Sequence, residues 1–303
     1  MKALKRAPAF ATGTAGAVPA RPRLVRRDRL HGFLLRYGRD RAAVCGAAAI
    51  ATVLLAGLMA PVLGLPAPNA AVDTMRMAPP GTPGFVLGAD EEGRNILSRL
   101  VWGGRISLLV GTVPTAMAAL LGLLIGLPSA YTGGVFEIIV MRVMDILFAF
   151  PMVLLAVAVA GILGPGIVNQ VIAIAVVLIP YTTRVVRNAV VIERQREYVE
   201  AARALGAGMW RIVALHLLPN VIGPLIVYAT SMLGLMIVAG SGLSFLGLGV
   251  QPPTPDWGTM VASGKNVVQI APHVAAIPGV VIMAVAVAFG YIGDGLRDAF
   301  TGG

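Results

Sequence analysis

Six apolar segments of membrane-spanning length constrain this chain more than any other feature of its sequence. A helix that crosses the hydrocarbon core of a bilayer needs about 20 apolar residues. Only 13% of the residues are charged, against about 25% in a soluble protein, so the polar side chains are too few to cover a water-facing surface. The sequence therefore predicts an all-α polytopic membrane protein of about six transmembrane helices, at residues 42–63, 106–130, 137–160, 167–186, 219–243 and 273–293.

The basic residues behind the net charge of +10 are concentrated in two regions of the chain. Eleven of the 24 Lys and Arg residues lie in residues 1–41, directly before the first apolar segment, and a second basic excess lies between the fourth and fifth segments. The positive-inside rule places both regions in the cytoplasm, and residues 66–105 and 244–272 outside. We expect a largely disordered basic tail at 1–41, a transmembrane domain at 42–303 and cytoplasmic termini. Membrane topology then explains the basic charge, which does not by itself indicate nucleic-acid binding.

A polar stretch at about 193–216 interrupts the apolar pattern. Residues 193–205 favour a helix, Gly206 can adopt the left-handed conformation that ends one, and residues 209–217 have the periodicity of a second short helix. Pro219 is expected to open the fifth membrane helix, where its missing N–H costs least. Such a helix, turn and helix also fits a loop helix without a partner. A DNA-binding helix-turn-helix is disfavoured because the stretch is tethered between membrane spans.

The spacing of this stretch resembles the EAA loop of ABC-importer permeases: Glu200-Ala201-Ala202, then Gly206, then His216 to Pro219. In that family the short helix after the glycine is a coupling helix, which lies in a groove of a cytoplasmic ATPase and transmits ATP-driven motion to the membrane helices. His216 stands where Ile is usual, a departure familiar in the peptide-importer branch. The resemblance implies coupling roles for Glu200, Ala201, Ala202, Gly206, Ala207, Gly208, Met209, Arg211, His216 and Pro219.

Four further stretches resemble the second permease subunit of dipeptide and oligopeptide ABC importers: GADEEGRNILSRLVWGGRISLLVG, MRVMDILFAFP, LSFLGLGVQPPTPDWGTM and GDGLRDAF. Asn95 stands where Asp is common in that family, and Gly240 stands where many members carry an acid. Glutathione and nickel importers share this architecture, so glutathione and nickel are alternative substrates to peptides.

The resemblance also implies an architecture and a set of partners. It implies a type I ABC-importer permease in a bacterial inner membrane, paired with a second, related permease. Two cytoplasmic subunits would bind ATP and Mg, and an extracellular or periplasmic protein would deliver the substrate. For this chain itself we expect no catalytic residue, no metal and no cofactor. A secondary transporter driven by an ion gradient would need acids at mid-depth in the membrane, whereas Glu137 and Asp145 lie near one interface.

Three smaller sets of residues have two interpretations each. Arg142 and Asp145, three apart on one helix face, form either a structural ion pair near the cytoplasmic interface or part of a translocation gate. An outer-loop set forms either a docking rim for the binding protein or a simple helix connector: Gln251, Pro252, Pro253, Asp256 and Trp257. A third set lines a polar path or bonds neighbouring helices: Tyr181, Thr182, Thr183, Ser231 and Ser241.

Overall fold

The structure is a computed structural model that describes residues 36–301. The expected tail therefore lies outside the described residues except for its last six. The described residues form helices and loops with only isolated β-bridges, which confirms the all-α prediction. The helices are α1 (Arg41–Met59), α2 (Ile96–Thr132), α3 (Gly134–Phe148), α4 (Met152–Leu163), α5 (Ile167–Glu193), α6 (Glu197–Ala204), α7 (Met209–Ile212), α8 (Leu218–Phe245), α9 (Trp257–Gly264) and α10 (His273–Thr301).

The prediction of about six membrane spans is confirmed. Among residues 36–301, five helices are long and apolar enough to cross a membrane: α1, α2, α5, the continuous helix Met209–Phe245 and α10. Helices α3 and α4 bring the number to six if the bent pair crosses as one span.

The expected third span is not one straight helix. Helices α3 and α4 meet at a bend of 90°, directly at Pro151. Proline has no N–H to donate and disfavours helical backbone in the residue before it, so the helix ends before Pro151 and restarts after it. The second span also begins earlier than expected, at Ile96. The side chain of Asn95 caps the helix there by accepting a hydrogen bond from the N–H of Ser98, with 3.1 Å between oxygen and nitrogen.

Close crossing of α2 and α5 holds the centre of the domain together. Thr182 donates its hydroxyl to the carbonyl of Ala118 on α2 at 2.7 Å. A Cβ on Gly126 would lie 2.8 Å from the carbonyl oxygen of Thr183, so only glycine permits this approach of the two backbones. Helix α8 packs against α2, α5 and α10, so it connects the central pair of helices to the C-terminal helix.

One of the apolar clusters joins the polar stretch at 193–216 to the membrane helices. Val186 and Val190 of α5 and Leu127 of α2 pack there with Val199 of α6 and Ile212 of α7. Val186, Val190 and Val199 are fully buried. The polar stretch is therefore fixed on the ends of α2 and α5 and not loosely attached.

Candidate functional site

The turn between α6 and α7 is built around a left-handed glycine, as the sequence predicts. The N–H of Gly206 bonds the carbonyl of Arg203, and the N–H of Ala207 bonds the carbonyl of Ala202, both at 3.0 Å. This pair of bonds is the Schellman arrangement, which requires positive φ at the first residue past the helix. Gly206 has a φ of +80°. The turn therefore sets the direction in which α7 leaves α6.

A row of large apolar side chains on this stretch points into solvent. Leu205 is 88% exposed, Trp210 is 80% exposed and Leu215 is 61% exposed. Exposed apolar clusters of this kind mark interaction sites, and Trp is enriched among the residues that dominate binding energies. Sequence reasoning missed all three. The signal was present in Trp210, a tryptophan in a charged stretch outside the apolar segments that the sequence predicts as membrane spans.

Charged side chains of both signs surround these apolar residues. Glu197, Glu200, Arg203 and Arg211 are exposed, and within residues 36–301 none of their side chains makes an ion pair or a hydrogen bond. Other charges of the domain do find partners: Glu137, for example, pairs with an arginine of α5. We define residues 200–215 as the exposed segment, a surface with apolar side chains and unpaired charges of both signs.

The exposed segment is not followed by a separate fifth span. Helix α7 continues through a π-helical turn, Val213–Leu217, directly into α8. Pro219 lies in the first turn of α8, as expected, but no loop separates α8 from the helix before it. Proline lacks an N–H and its ring crowds the carbonyl four residues earlier. A wider π turn relieves that crowding without ending the helix. As a result, the part of the exposed segment from Met209 onward and the fifth span form one continuous helix, Met209–Phe245.

Asp145 pairs with Arg142, as expected, and more closely with an arginine of a neighbouring helix. Asp145 accepts a hydrogen bond from Arg184 of α5 at 2.6 Å, whereas Arg142 is 3.9 Å away and its side chain is 79% exposed. Arg184 also lies over the ring of Phe148, 4.1 Å from its centroid. The main pair therefore joins α3 to α5, because a neighbouring helix offers Asp145 a better-placed guanidinium than its own helix does.

Two residues of the expected docking rim lie in the interior. Asp256 and Trp257 are each 1% exposed. Asp256 caps α9 by accepting two backbone N–H groups of its first turn, and it accepts the hydroxyl of Ser107 at 2.7 Å. Trp257 donates its indole N–H to the carbonyl of Leu100 at 3.0 Å. Burial raises the pKa of Asp256, against the lowering effect of these bonds. Only the exposed residues Gln251, Pro252 and Pro253 remain available for a rim.

The two departures from the family pattern have local explanations. A Cβ on Gly240 would lie 2.5 Å from a methyl group of Val110, and the carbonyl of Gly240 accepts the amide of Gln170 at 2.6 Å, so this packing leaves no room for an acidic side chain. Asn95 donates its amide to the carbonyl of Gly84 at 2.9 Å, a bond that an ionised Asp could not make.

Of the five polar residues considered for a path, one bonds a neighbouring helix and another bonds its own helix, whereas the buried hydroxyl of Thr183 has no hydrogen-bond partner within residues 36–301. Thr182 joins α5 to α2, and Ser231 donates to the carbonyl of Val227 on its own helix at 2.9 Å. A cavity of about 350 Å³ does lie between α4, α5 and α8, and its lining is apolar: it includes Met152, Ala156, Ile174, Val177, Met236 and Leu243. Such a lining offers a peptide's charged ends no specific partner.

The fold and the exposed segment define a class of protein: a polytopic helical membrane subunit with a segment suited to bind a soluble partner. Residues 118–301 match the family described as the binding-protein-dependent transport system inner membrane component, and the chain belongs to this family. The chain is thus a non-catalytic permease subunit of an ABC importer, as the sequence motifs predicted.

Curated relatives cover most of the chain. The chain is 41% identical to the di/tripeptide transport system permease protein DppC of Pseudomonas aeruginosa, over 92% of this chain and 93% of the relative. It is 43% identical to the glutathione transport system permease protein GsiD of Pectobacterium atrosepticum, over 70% of this chain and 71% of the relative. Among solved structures, an inward-facing MetNI methionine ABC transporter matches 67% of this chain and 95% of its own, at 22% identity and a TM-score of 0.49.

Proposed function

We propose that this chain is a pore-forming permease of an importer for di- and oligopeptides, and that the exposed segment binds a cytoplasmic ATPase subunit. The observation that carries the proposal is the exposed segment itself, where Leu205, Trp210 and Leu215 stand in solvent beside unpaired charges. The complete assembly would contain a second, related permease, two ATPases that bind ATP and Mg, and an external binding protein. It would lie in a bacterial inner membrane, with both termini of this chain in the cytoplasm.

The exposed segment has the features needed to bind a partner that transmits mechanical motion to the membrane helices. Its apolar side chains offer burial worth about 1.5–3 kcal/mol for each large residue, and its charges can select the partner and its orientation. Because the segment is continuous with α8 through the π turn, a partner that displaces it also displaces the base of the fifth span. This continuity gives ATP-driven motion a physical route into the membrane.

Peptides are the substrate class that the relatives favour. The relative from P. aeruginosa is named for di- and tripeptides, and glutathione, for which another relative is named, is itself a small peptide. Glutathione is therefore the second candidate. The apolar lining of the cavity between α4, α5 and α8 supports a passage with little selectivity of its own, with the binding protein choosing the cargo. The substrate classes are distinguished by measuring uptake into proteoliposomes that contain the whole complex. The uptake of dipeptides, longer peptides, glutathione and nickel is compared.

Replacing Trp210 tests the proposed ATPase docking. Trp210→Ala removes the most exposed aromatic side chain of the segment, and loss of a binding residue of this kind costs about 2 kcal/mol or more, a roughly 30-fold loss of affinity. We expect the ATPases to be lost on purification and ATP-driven uptake to fall with them. Leu215→Ala should act in the same direction.

The matched control for Leu215 is Leu58→Ala on α1, because both leucines are 61% exposed and only Leu215 belongs to the exposed segment. Leu58→Ala should keep both the ATPases and uptake. Full retention of the ATPases by Trp210→Ala and Leu215→Ala would overturn the docking assignment.

Cysteine labelling tests the proposed orientation. Cys45 is exposed, so it is first replaced by serine, and Ala207→Cys is then introduced in the turn of the exposed segment. An impermeant thiol reagent should label inverted vesicles and leave intact cells unlabelled. Labelling of intact cells would place the segment outside and exclude a cytoplasmic partner.

A further inference from the structure

Three polar side chains join the ends of three helices at the base of the exposed segment. Tyr198 of α6 donates its hydroxyl to a carboxylate oxygen of Glu193, at the end of α5. Asn220, near the start of α8, donates its amide to the hydroxyl of Tyr198 at 3.0 Å and to the carbonyl of His216 at 2.7 Å. None of these contacts belongs to the pattern by which the sequence resembles its family.

The hydrogen-bond chemistry of this chain of contacts is complete. The amide of Asn220 has two N–H donors, one for each acceptor it meets. The hydroxyl of Tyr198 accepts from Asn220 and donates to Glu193. Burial, followed by the bond to Glu193, raises the pKa of Tyr198 to about 12. The hydroxyl therefore keeps the proton that it donates at physiological pH.

The contacts surround the least regular part of the continuous helix. The π turn Val213–Leu217 lies beside Pro219, which has no N–H to contribute to the helical bonds. Proline and π turns are common points of bending in helices. The ring of Tyr198 lies beside the ring of His216 in this turn, with their centroids 5.8 Å apart. Asn220 bonds the carbonyl of the same residue. Tyr198 and Asn220 thus hold α6 against the π turn.

We propose that Glu193, Tyr198 and Asn220 form a brace of positioning residues that couples the exposed segment to the fifth span. The brace fixes the angle between α6 and the helix Met209–Phe245, so that a force on the exposed segment moves α8 and is not absorbed by bending at the π turn. This proposal rests on the proposed function, since it needs a partner that moves the segment. It adds residues that contact neither substrate nor partner but determine how much motion is transmitted.

Removing one hydroxyl tests the brace. Tyr198→Phe removes two hydrogen bonds and keeps the ring beside His216. In the reconstituted complex, we expect normal binding of the ATPases and normal basal ATP hydrolysis. Peptide uptake per ATP should fall by about five-fold for each exposed hydrogen bond lost. Tyr291→Phe is the control, because Tyr291 lies on α10, is 47% exposed and makes no hydrogen bond through its hydroxyl within residues 36–301. It should leave uptake per ATP unchanged.

Two substitutions of Glu193 separate hydrogen bonding from charge. Glu193→Gln removes the charge, including the contact with Arg196 at 3.7 Å, but keeps an oxygen that accepts the hydroxyl of Tyr198. It should retain nearly normal uptake per ATP, and Glu193→Ala should lose it as Tyr198→Phe does. Equal loss in both Glu193 variants would assign the effect to charge and overturn the brace.

The remaining outcomes distinguish the brace from the docking on which it rests. Unchanged uptake per ATP in Tyr198→Phe would overturn the brace while leaving docking intact, provided that Trp210→Ala still releases the ATPases. Release of the ATPases by Tyr198→Phe would also overturn it, because the residue would then act in binding. Retention of the ATPases by Trp210→Ala would instead refute the docking assignment.

Discussion

Replacing Gly206 by valine tests whether the direction of the turn matters to the partner. Gly206 has a φ of +80°, and no atom lies within 4 Å of the position that a Cβ would occupy. The Cβ of valine therefore meets no clash, and the expected cost is that of the backbone conformation. A β-branched residue in the left-handed region is a rare and strained arrangement.

The size of the effect follows from this geometry. An L-residue in the left-handed conformation costs about 1–2 kcal/mol. If only the native turn binds the ATPase, the apparent affinity falls by the same free energy, which corresponds to a loss of about 5- to 30-fold. The membrane spans are untouched, so insertion and capture of substrate by the binding protein should stay normal. ATP-driven uptake should fall with ATPase binding.

Gly206→Asn is the matched control, because asparagine adds a side chain at the same place but tolerates the left-handed conformation better than other residues. The assay is titration of ATPase subunits onto the purified permease pair in lipid nanodiscs, followed by uptake in proteoliposomes. The expected order of affinity is Gly, then Asn, then Val. Wild-type affinity and uptake for Gly206→Val would refute the role of the turn, and equal losses for Asn and Val would show that bulk, not backbone conformation, is responsible.

Three further predictions concern burial, packing and protonation. Asp256→Ala should destabilise the protein by about 2–4 kcal/mol, from the lost helix cap and the buried hydroxyl of Ser107 left without an acceptor; an unchanged melting temperature in detergent would contradict this. Gly240→Asp should lower the free energy of unfolding by several kcal/mol, because it forces a carboxylate against Val110 and leaves that carboxylate buried. The yield of folded protein in size-exclusion chromatography should therefore collapse. A normal yield would show that the packing around residue 240 adapts. The difference in uptake per ATP between wild type and Tyr198→Phe should be constant from about pH 6 to about pH 9. The pKa of Tyr198 is raised to about 12, so the stabilisation by its protonated hydroxyl is lost only as the pH rises through that value. A difference that vanished between about pH 6 and about pH 9 would contradict this prediction.

The sequence by itself determined the class of protein and the position of the helix, turn and helix at 193–216. Spans of about 20 apolar residues can satisfy their backbone hydrogen bonds in a bilayer only as helices or barrels, so composition and segment length were sufficient for an all-α membrane domain. Gly206 was predictable for a similarly local reason, since the bonds that end α6 involve only its near neighbours. Motifs of fixed spacing then indicated the family, which the comparisons confirm.

Only the tertiary structure decided which side chains meet across helices. The partner of Asp145 is Arg184, 39 positions further along the chain, and Asp256 meets Ser107 across 149 positions. Local pattern cannot reveal such pairs, so the sequence offered Asp145 only a neighbour on its own helix and left Asp256 in an outer loop, as part of a docking rim or of a helix connector. The brace through Tyr198 and Asn220 was hidden although these residues lie only 22 positions apart. It depends on how α6 and α8 lie against the end of α5, and hydrophobic periodicity does not specify that arrangement.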